Sequence, residues 1–167
     1  MTAMDIELDP PHGITGFPLG LSLEELKSAA ATLGRVDVTN EGSASVFNPM
    51  QVLAVHPQFE ILFDFQEGKT LRAAEIWIPR SGPEAITVRF RGIDVFTTPA
   101  LQLLQQLGDL GLAVRQIEPN HWVIPSLSLG FTRTAGHEVP LDSNGDPLYF
   151  QAVLTGTADY YDFLLGT

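Results

Sequence analysis

The feature that most constrains the fold of this chain is an internal repeat. Leu26 and Gly34, which follow a short apolar stretch, recur as Leu103 and Gly111. The separation between the two leucines equals the separation between the two glycines. A repeat of this size is typical of a supersecondary unit that cannot bury its apolar face alone and packs against its neighbour. The chain is therefore predicted to fold as two similar units within one domain.

The predicted fold class is α+β, with two tandem units of similar construction. Each unit is expected to pack one helix on an antiparallel sheet, and the strands of both units can join into one continuous curved sheet. The predicted boundaries are a flexible lead-in at 1–12, a first unit at about 13–91 and a second unit at about 92–167. A chain of 167 residues is long enough to bury one sizeable core.

The net charge restricts the classes of partner. The chain has 9 basic and 20 acidic residues, which give a net charge of −11 at pH 7. This charge disfavours nucleic acid and anionic membranes as partners, since both bind through lysine and arginine. It favours a basic protein partner, and it equally serves solubility. The chain has no cysteine, which excludes disulfides, and its first residues lack an apolar signal region, so we expect a cytoplasmic protein.

A helix is predicted near the start of each unit. Ser22 and Glu25 form a capping box, and apolar residues then recur at helical spacing as far as Gly34. In the second unit, Thr98 can cap a helix that has Pro99 at its first position. Both helices are short and amphipathic, which predicts that each lies on a sheet.

The best-defined strands form a hairpin between Phe59 and Ile78. Apolar residues alternate with polar ones along its first strand, and the phenylalanines share one face. Glu60, Asp64 and Glu75 are expected to share the opposite face of the pair and to form an acidic patch there. The same arrangement also fits a solvated outer face of a sheet.

No motif in the chain requires catalysis to explain it. Asp142, Asn144 and Asp146 alternate as in a calcium loop, but Pro147 and Val153 stand where such a loop requires glycine and glutamate. A hairpin turn is the favoured interpretation of this segment, and a weak cation site is the alternative. The four histidines lack metal-ligand spacing, and no nucleophile with its base is recognisable. We therefore expect a non-enzymatic protein without a cofactor or a metal.

The segment that precedes and begins the first helix resembles a bacterial pattern. Gly13-Ile14, followed by Phe17-x-Leu19-Gly20-Leu21-Ser22-x-Glu24-Glu25, is similar to the opening of small bacterial proteins of unassigned function. Some of these look like immunity proteins of polymorphic toxin systems. The plan of two helix-on-sheet units is also similar to that of the β-lactamase inhibitory protein and the TATA-binding protein. The resemblance to immunity proteins implies a protein that binds and masks another protein.

Three hypotheses for the function follow from these patterns. The leading one is a bacterial protein-binding module, most concretely an immunity protein that docks an acidic surface on a basic toxin. Its candidate contact residues are Glu60, Asp64, Glu75, Trp77 and Trp122. The two tryptophans would serve as anchors, although both also fit ordinary packing. The alternative is a carrier or sensor of small apolar ligands, with a cavity lined by Phe59, Phe63 and Phe65. An enzyme of unrecognised type is the third hypothesis.

Overall fold

The secondary structure is dominated by strands. The computed structural model describes residues 4–78, 86–134 and 139–165. Its strands are β1 (Met4–Asp9), β2 (Gly13–Ile14), β3 (Phe17–Pro18), β4 (Arg35–Thr39), β5 (Gln51–Val55), β6 (Glu60–Gln66), β7 (Thr70–Trp77), β8 (Ile86–Phe90), β9 (Ile93–Asp94), β10 (Arg115–Glu118), β11 (His121–Ile124), β12 (Leu129–Thr132) and β13 (Ala152–Gly156). Its helices are α1 (Leu23–Ala30), α2 (Ala100–Asp109) and α3 (Asp162–Leu165), with a 3-10 turn at Pro125–Leu127. The strand pairs are mostly antiparallel, so the α+β prediction is confirmed.

The principal element is an eight-stranded antiparallel sheet in the order β10-β11-β12-β13-β7-β6-β5-β4. Each predicted unit supplies four of these strands, and the units meet where β13 pairs with β7. The order α1-β4-β5-β6-β7 in the first unit returns as α2-β10-β11-β12-β13 in the second. This order is compatible with the two-unit prediction, and it joins both units through one sheet.

A second sheet, in the order β3-β2-β1-β8-β9, includes the N-terminal strand. β1 pairs in parallel with β8 and so ties the N-terminal strand to the end of the first unit. The expectation of a flexible lead-in is wrong for Met4–Asp9, because Ile6 and Leu8 are buried in the core. These two residues alternate with acidic ones, which is the period of a strand, and their burial outweighs the prolines that follow.

The core lies between the helices, the smaller sheet and one face of the eight-stranded sheet. Leu26 of α1 and Leu103 of α2, which mark the repeat in the sequence, are both fully buried there. The hairpin β6–β7 contributes Phe63, whose ring centre lies 5.0 Å from that of Phe17. Because side chains alternate along a strand, the residues between the buried ones lie on the opposite face of the sheet.

The predicted cap at the start of α1 is present in the structure, whereas the helix ends at Ala30, four residues before the predicted stop at Gly34. The Ser22 hydroxyl accepts a hydrogen bond from the backbone N–H of Glu25 at 3.3 Å, and the Glu25 carboxylate accepts one from the N–H of Ser22 at 3.1 Å. Gly34 has a φ of 153°, and a side chain there would meet the backbone of β5, so the turn requires glycine. The start of α2 differs from the prediction, because Pro99 rather than Thr98 is the N-cap.

Candidate functional site

The face of the eight-stranded sheet that is turned away from the core carries a group of partly exposed side chains in the first unit. They are Gln51, Leu53, Val55, Glu60, Leu62, Asp64, Glu75 and Trp77. We call this set the acidic face. Its carboxylates surround aliphatic side chains and a tryptophan, so it offers contacts to both apolar and basic groups of a partner.

The register of β6 and β7 brings the predicted contact residues of the hairpin together. Glu60 pairs with Trp77, and Leu62 pairs with Glu75. The indole Nε1–H of Trp77 donates a hydrogen bond to Glu75 Oε1 at 2.7 Å, which fixes the two side chains relative to each other. Asp64 lies on the same face, further along β6. Four of the five candidate contact residues therefore share one surface.

A β-bulge in β7 sets an arginine at the edge of the acidic face. The register shift leaves Arg72 without an opposite residue on β6. Its guanidinium lies 4.7 Å from the ring centre of Tyr160, and its charge attracts the Asp64 carboxylate. Bulges often re-aim a side chain beside a functional site, and this one places a cation where the two units meet.

Two carboxylates of the acidic face lie where their charge is disfavoured. Burial raises the pKa of Asp64, against the attraction of Arg72 and a hydrogen bond from Gln51. Among the described residues, Asp64 Oδ1 has no hydrogen-bond partner. Burial also raises the pKa of Glu75, against the hydrogen bond from Trp77. Carboxylates that are desolvated in this way are enriched at functional sites.

Replacing Glu75 with glutamine should stabilise the protein at neutral pH. Because the pKa of Glu75 is higher in the folded than in the unfolded state, the wild-type free energy of unfolding falls as the pH rises through the interval between the two values. Glutamine carries no such penalty, so the advantage of the variant should be present at pH 7. It should vanish below the ordinary glutamate pKa of about 4.3. Urea unfolding of both proteins from pH 3 to 7 measures the difference, and an advantage of equal size at every pH would contradict this account.

The corresponding face of the second unit is covered by the end of the chain. Residues 157–165, which we call the C-terminal segment, place Tyr161 against Gly130 of β12 and Tyr160 against Gly156 of β13. Tyr161 is buried. The two halves of this sheet face thus differ in exposure, because the C-terminal segment packs on one half and the other half stays partly exposed.

The Gly156→Ala variant should lower the free energy of unfolding by about 1–3 kcal/mol, the usual cost of overpacking. A methyl group at Gly156 would lie 2.6 Å from Cγ and 2.7 Å from Cβ of Tyr160, atoms that cannot yield by a simple rotation. Gly108→Ala in α2 is the matched control, because a methyl group there meets nothing within 4 Å and alanine is the better helix former by about 0.5–1 kcal/mol. Urea denaturation of both variants checks the expectation of opposite signs. Equal effects would mean that the C-terminal segment does not pack as described.

Trp122 does not belong to the acidic face, which corrects its prediction as a surface anchor. It lies on β11 with its side chain in the core, and only 9% of the residue is exposed. Its ring packs edge-on against Phe150 with 5.7 Å between ring centres. The guanidinium of Arg133 lies 5.0 Å from the ring centre of Trp122. The packing interpretation of this tryptophan is therefore the one that the structure supports.

Arg133 also accounts for the segment that resembles a calcium loop. One oxygen of Asp142 accepts hydrogen bonds from the backbone N–H groups of Asn144 and Asp146 at 2.9 and 3.0 Å, as in an Asx turn. Arg133 lies 3.6 Å from Asp142 and 3.5 Å from Asp146. The positive charge beside these carboxylates is a guanidinium, which supports the turn interpretation over the cation site.

Histidines and acidic residues do not assemble into a metal site in residues 4–78, 86–134 and 139–165. His137 lies outside these ranges. His56 accepts a hydrogen bond at Nδ1 from the N–H of Gln58 and stacks on Phe59 with 4.4 Å between ring centres.

The phenylalanines proposed to line a ligand cavity fill the core instead. Phe59 and Phe63 are buried, with His56 and Phe17 as their ring partners. Phe65 is buried as well. The three side chains that the carrier hypothesis requires as a cavity lining are therefore part of the core.

The loop between β4 and β5 carries an exposed apolar pair that sequence reasoning missed. Val46 is 85% exposed and Phe47 is 89% exposed. Val46 borders a cleft of about 280 Å³ that also contacts Asp64 and Arg72, so the pair lies beside the acidic face. Its signal in the sequence is an apolar dipeptide within a run of serine, asparagine and proline, where a polar loop would be expected.

Comparisons with known protein families, with curated proteins and with solved structures found no match to this chain. A search of the helices in the described part of the chain found none long and apolar enough to cross a membrane.

Proposed function

We propose that this protein binds a basic protein through the acidic face and the adjoining Val46-Phe47 pair. The observation that carries the proposal is the difference between the two halves of one sheet face. The second half is covered by Tyr160 and Tyr161, whereas the first keeps Trp77 and its carboxylates partly exposed. A partner would cover the first half as the C-terminal segment covers the second.

The energetic cost of the acidic face supports a role in binding. Burial disfavours the charges of Asp64 and Glu75 in the free protein. A cationic partner would add to the attraction that Arg72 provides for Asp64, because opposite charges at an interface favour each other once water is excluded. Carboxylates whose charge is disfavoured by burial are enriched at functional sites.

Apolar groups at the same surface supply the anchors that an interface needs. Trp77 is the residue type most enriched among binding hot spots, and its indole is already held by Glu75. Phe47 projects from the neighbouring loop and is largely exposed. Trp77 lies at the Glu60 end of the hairpin and the loop with Val46 and Phe47 at its Asp64 end, so the surface has an apolar group at each end with carboxylates between them.

The partner class that we favour is a bacterial toxin, with this protein as its immunity protein. The resemblance of the segment from Gly13 to Glu25 to the opening of immunity-like proteins supports this class. A basic toxin surface would be attracted by the net charge of −11 on this protein. The bound protein would then neutralise the toxin by occluding the toxin's active site. No chemistry is required of the immunity protein, which agrees with the expectation of a non-enzymatic role.

The test is capture from the native host with three immobilised proteins: wild type, Trp77→Ala and Leu101→Ala. Leu101 is an exposed residue of α2, on the side of the sheet away from the acidic face. The expected result is one basic protein that the wild type and the Leu101 variant retain and the Trp77 variant loses, and whose expression alone arrests growth. A partner that all three proteins capture equally would contradict the proposed surface.

A further inference from the structure

A cleft of about 460 Å³ lies beside the C-terminal segment and opens where the two units meet. Glu75 lines this cleft and also belongs to the acidic face, so the two are continuous. Leu154, the residue opposite Glu75 on β13, forms part of its floor. The cleft is therefore a pocket at the border of the proposed binding surface.

Aromatic rings from the C-terminal segment form one wall of the cleft. Tyr160 and Tyr161 stand at 84° to each other with 5.0 Å between ring centres, and Phe163 follows at 6.2 Å from Tyr161. A cation that lies over the face of such a ring is attracted by its π-electrons. The guanidinium of Arg72 at 4.7 Å from the Tyr160 ring shows that this wall accepts a cation.

The lining of the cleft also includes two carboxylates, those of Glu75 on β7 and Glu118 on β10. Among the described residues, neither forms an ion pair. Arg72 is the cation within the lining, and its charge is shared with Asp64 and Asp159. Burial lowers the pKa of His121, which keeps its imidazole largely neutral at pH 7. The cleft thus has an excess of negative charge next to aromatic faces.

We propose that the cleft receives an arginine side chain of the protein partner. This inference rests on the proposed function and names the group by which the partner is anchored. A guanidinium is planar, so it can stack on a tyrosine face while its N–H groups reach a carboxylate. Glu75 and Glu118 would supply the carboxylates, and Tyr161 or Phe163 the face.

The test uses N-acetyl-arginine methylamide as the probe and the neutral isostere N-acetyl-citrulline methylamide as its control. The readout is the indole N–H resonance of Trp77, because this proton is bonded to Glu75 at the cleft; Trp77→Phe identifies the resonance. The arginine probe should shift it in a saturable manner at millimolar concentration, and the citrulline probe should not. Equal shifts with both probes, or no shift with either, would overturn the proposal.

Variants then separate this inference from the proposed function. Glu118→Gln should abolish the shift and weaken partner binding at least tenfold, whereas Glu24→Gln, on the exposed start of α1, should change neither. If Trp77→Ala weakens partner binding and Glu118→Gln leaves it intact, the cleft does not anchor the partner although the acidic face binds it. If the probe binds but Trp77→Ala has no effect on the partner, the proposed function fails instead.

Discussion

Replacing Arg133 with methionine should lower the free energy of unfolding by about 3–5 kcal/mol, the usual cost of removing one member of a buried ion pair. The side chains of Arg133 and Asp142 are only 7% and 11% exposed. The guanidinium also donates to Asn120 Oδ1 at 2.7 Å and to the carbonyl oxygen of Pro147 at 3.2 Å. Methionine fills a similar volume but would leave these oxygen atoms without their donor.

The matched control for this variant is Arg89→Met. Arg89 lies 3.8 Å from Asp5, and the two side chains are 43% and 71% exposed, so its loss should cost less than about 1 kcal/mol. Urea unfolding of the two variants at pH 7 gives the comparison. If Arg133→Met costs no more than Arg89→Met, the loop that contains Asp142 and Asp146 is not held by Arg133, and its assignment as a structural turn is wrong.

The second large effect is on affinity. Trp77→Ala should weaken binding of the partner by at least about 2 kcal/mol, or roughly 30-fold in Kd, as expected for a tryptophan that anchors an interface. The truncation removes apolar contact area and also leaves Glu75 without its hydrogen-bond donor. Calorimetry or surface plasmon resonance with the purified partner measures the change.

Two further variants separate the causes of that loss. Trp77→Phe keeps most of the apolar area but removes the indole N–H, so its effect should be the smaller of the two. Glu60→Gln, where a charge borders the tryptophan, should mainly slow association and reduce its dependence on salt. The interpretation of Trp77 as an anchor would be wrong if the alanine variant bound as tightly as the wild type while it remained folded.

The hairpin and its acidic patch could be predicted because local alternation determines which face a strand residue occupies. Glu60 and Asp64 alternate with Ile61 and Phe63, and this alternation is enough to separate a polar from an apolar face. The pairing of Glu75 with Leu62 follows once the hairpin has its register. These residues are close in sequence, so no knowledge of the remaining fold is needed.

Trp122 and the C-terminal segment could not be predicted in this way, because their environments depend on distant parts of the chain. Trp122 is buried by Phe150 and Arg133, neither of which is its neighbour in sequence. The covering of Gly130 by Tyr161 depends on the path of the whole second unit. Burial of this kind is a tertiary property, and an amphipathic residue such as tryptophan fits either a core or a surface.

The fold is compatible with the repeat, and we propose that the difference between its copies determines where a partner binds. One copy uses its outer sheet face to hold Tyr160 and Tyr161, and the other presents Trp77 and Glu75 on the same face. Identical halves would have given either two covered faces or two open ones. The account therefore places binding on a single half of the sheet.

Photo-crosslinking tests this placement most directly. A benzophenone amino acid in place of Leu62, at the centre of the acidic face, is compared with one in place of Leu101 on α2. We expect the partner to be crosslinked from position 62 and not from position 101, and excess unlabelled protein to suppress the product. A crosslink from position 101 with none from position 62 would contradict this placement.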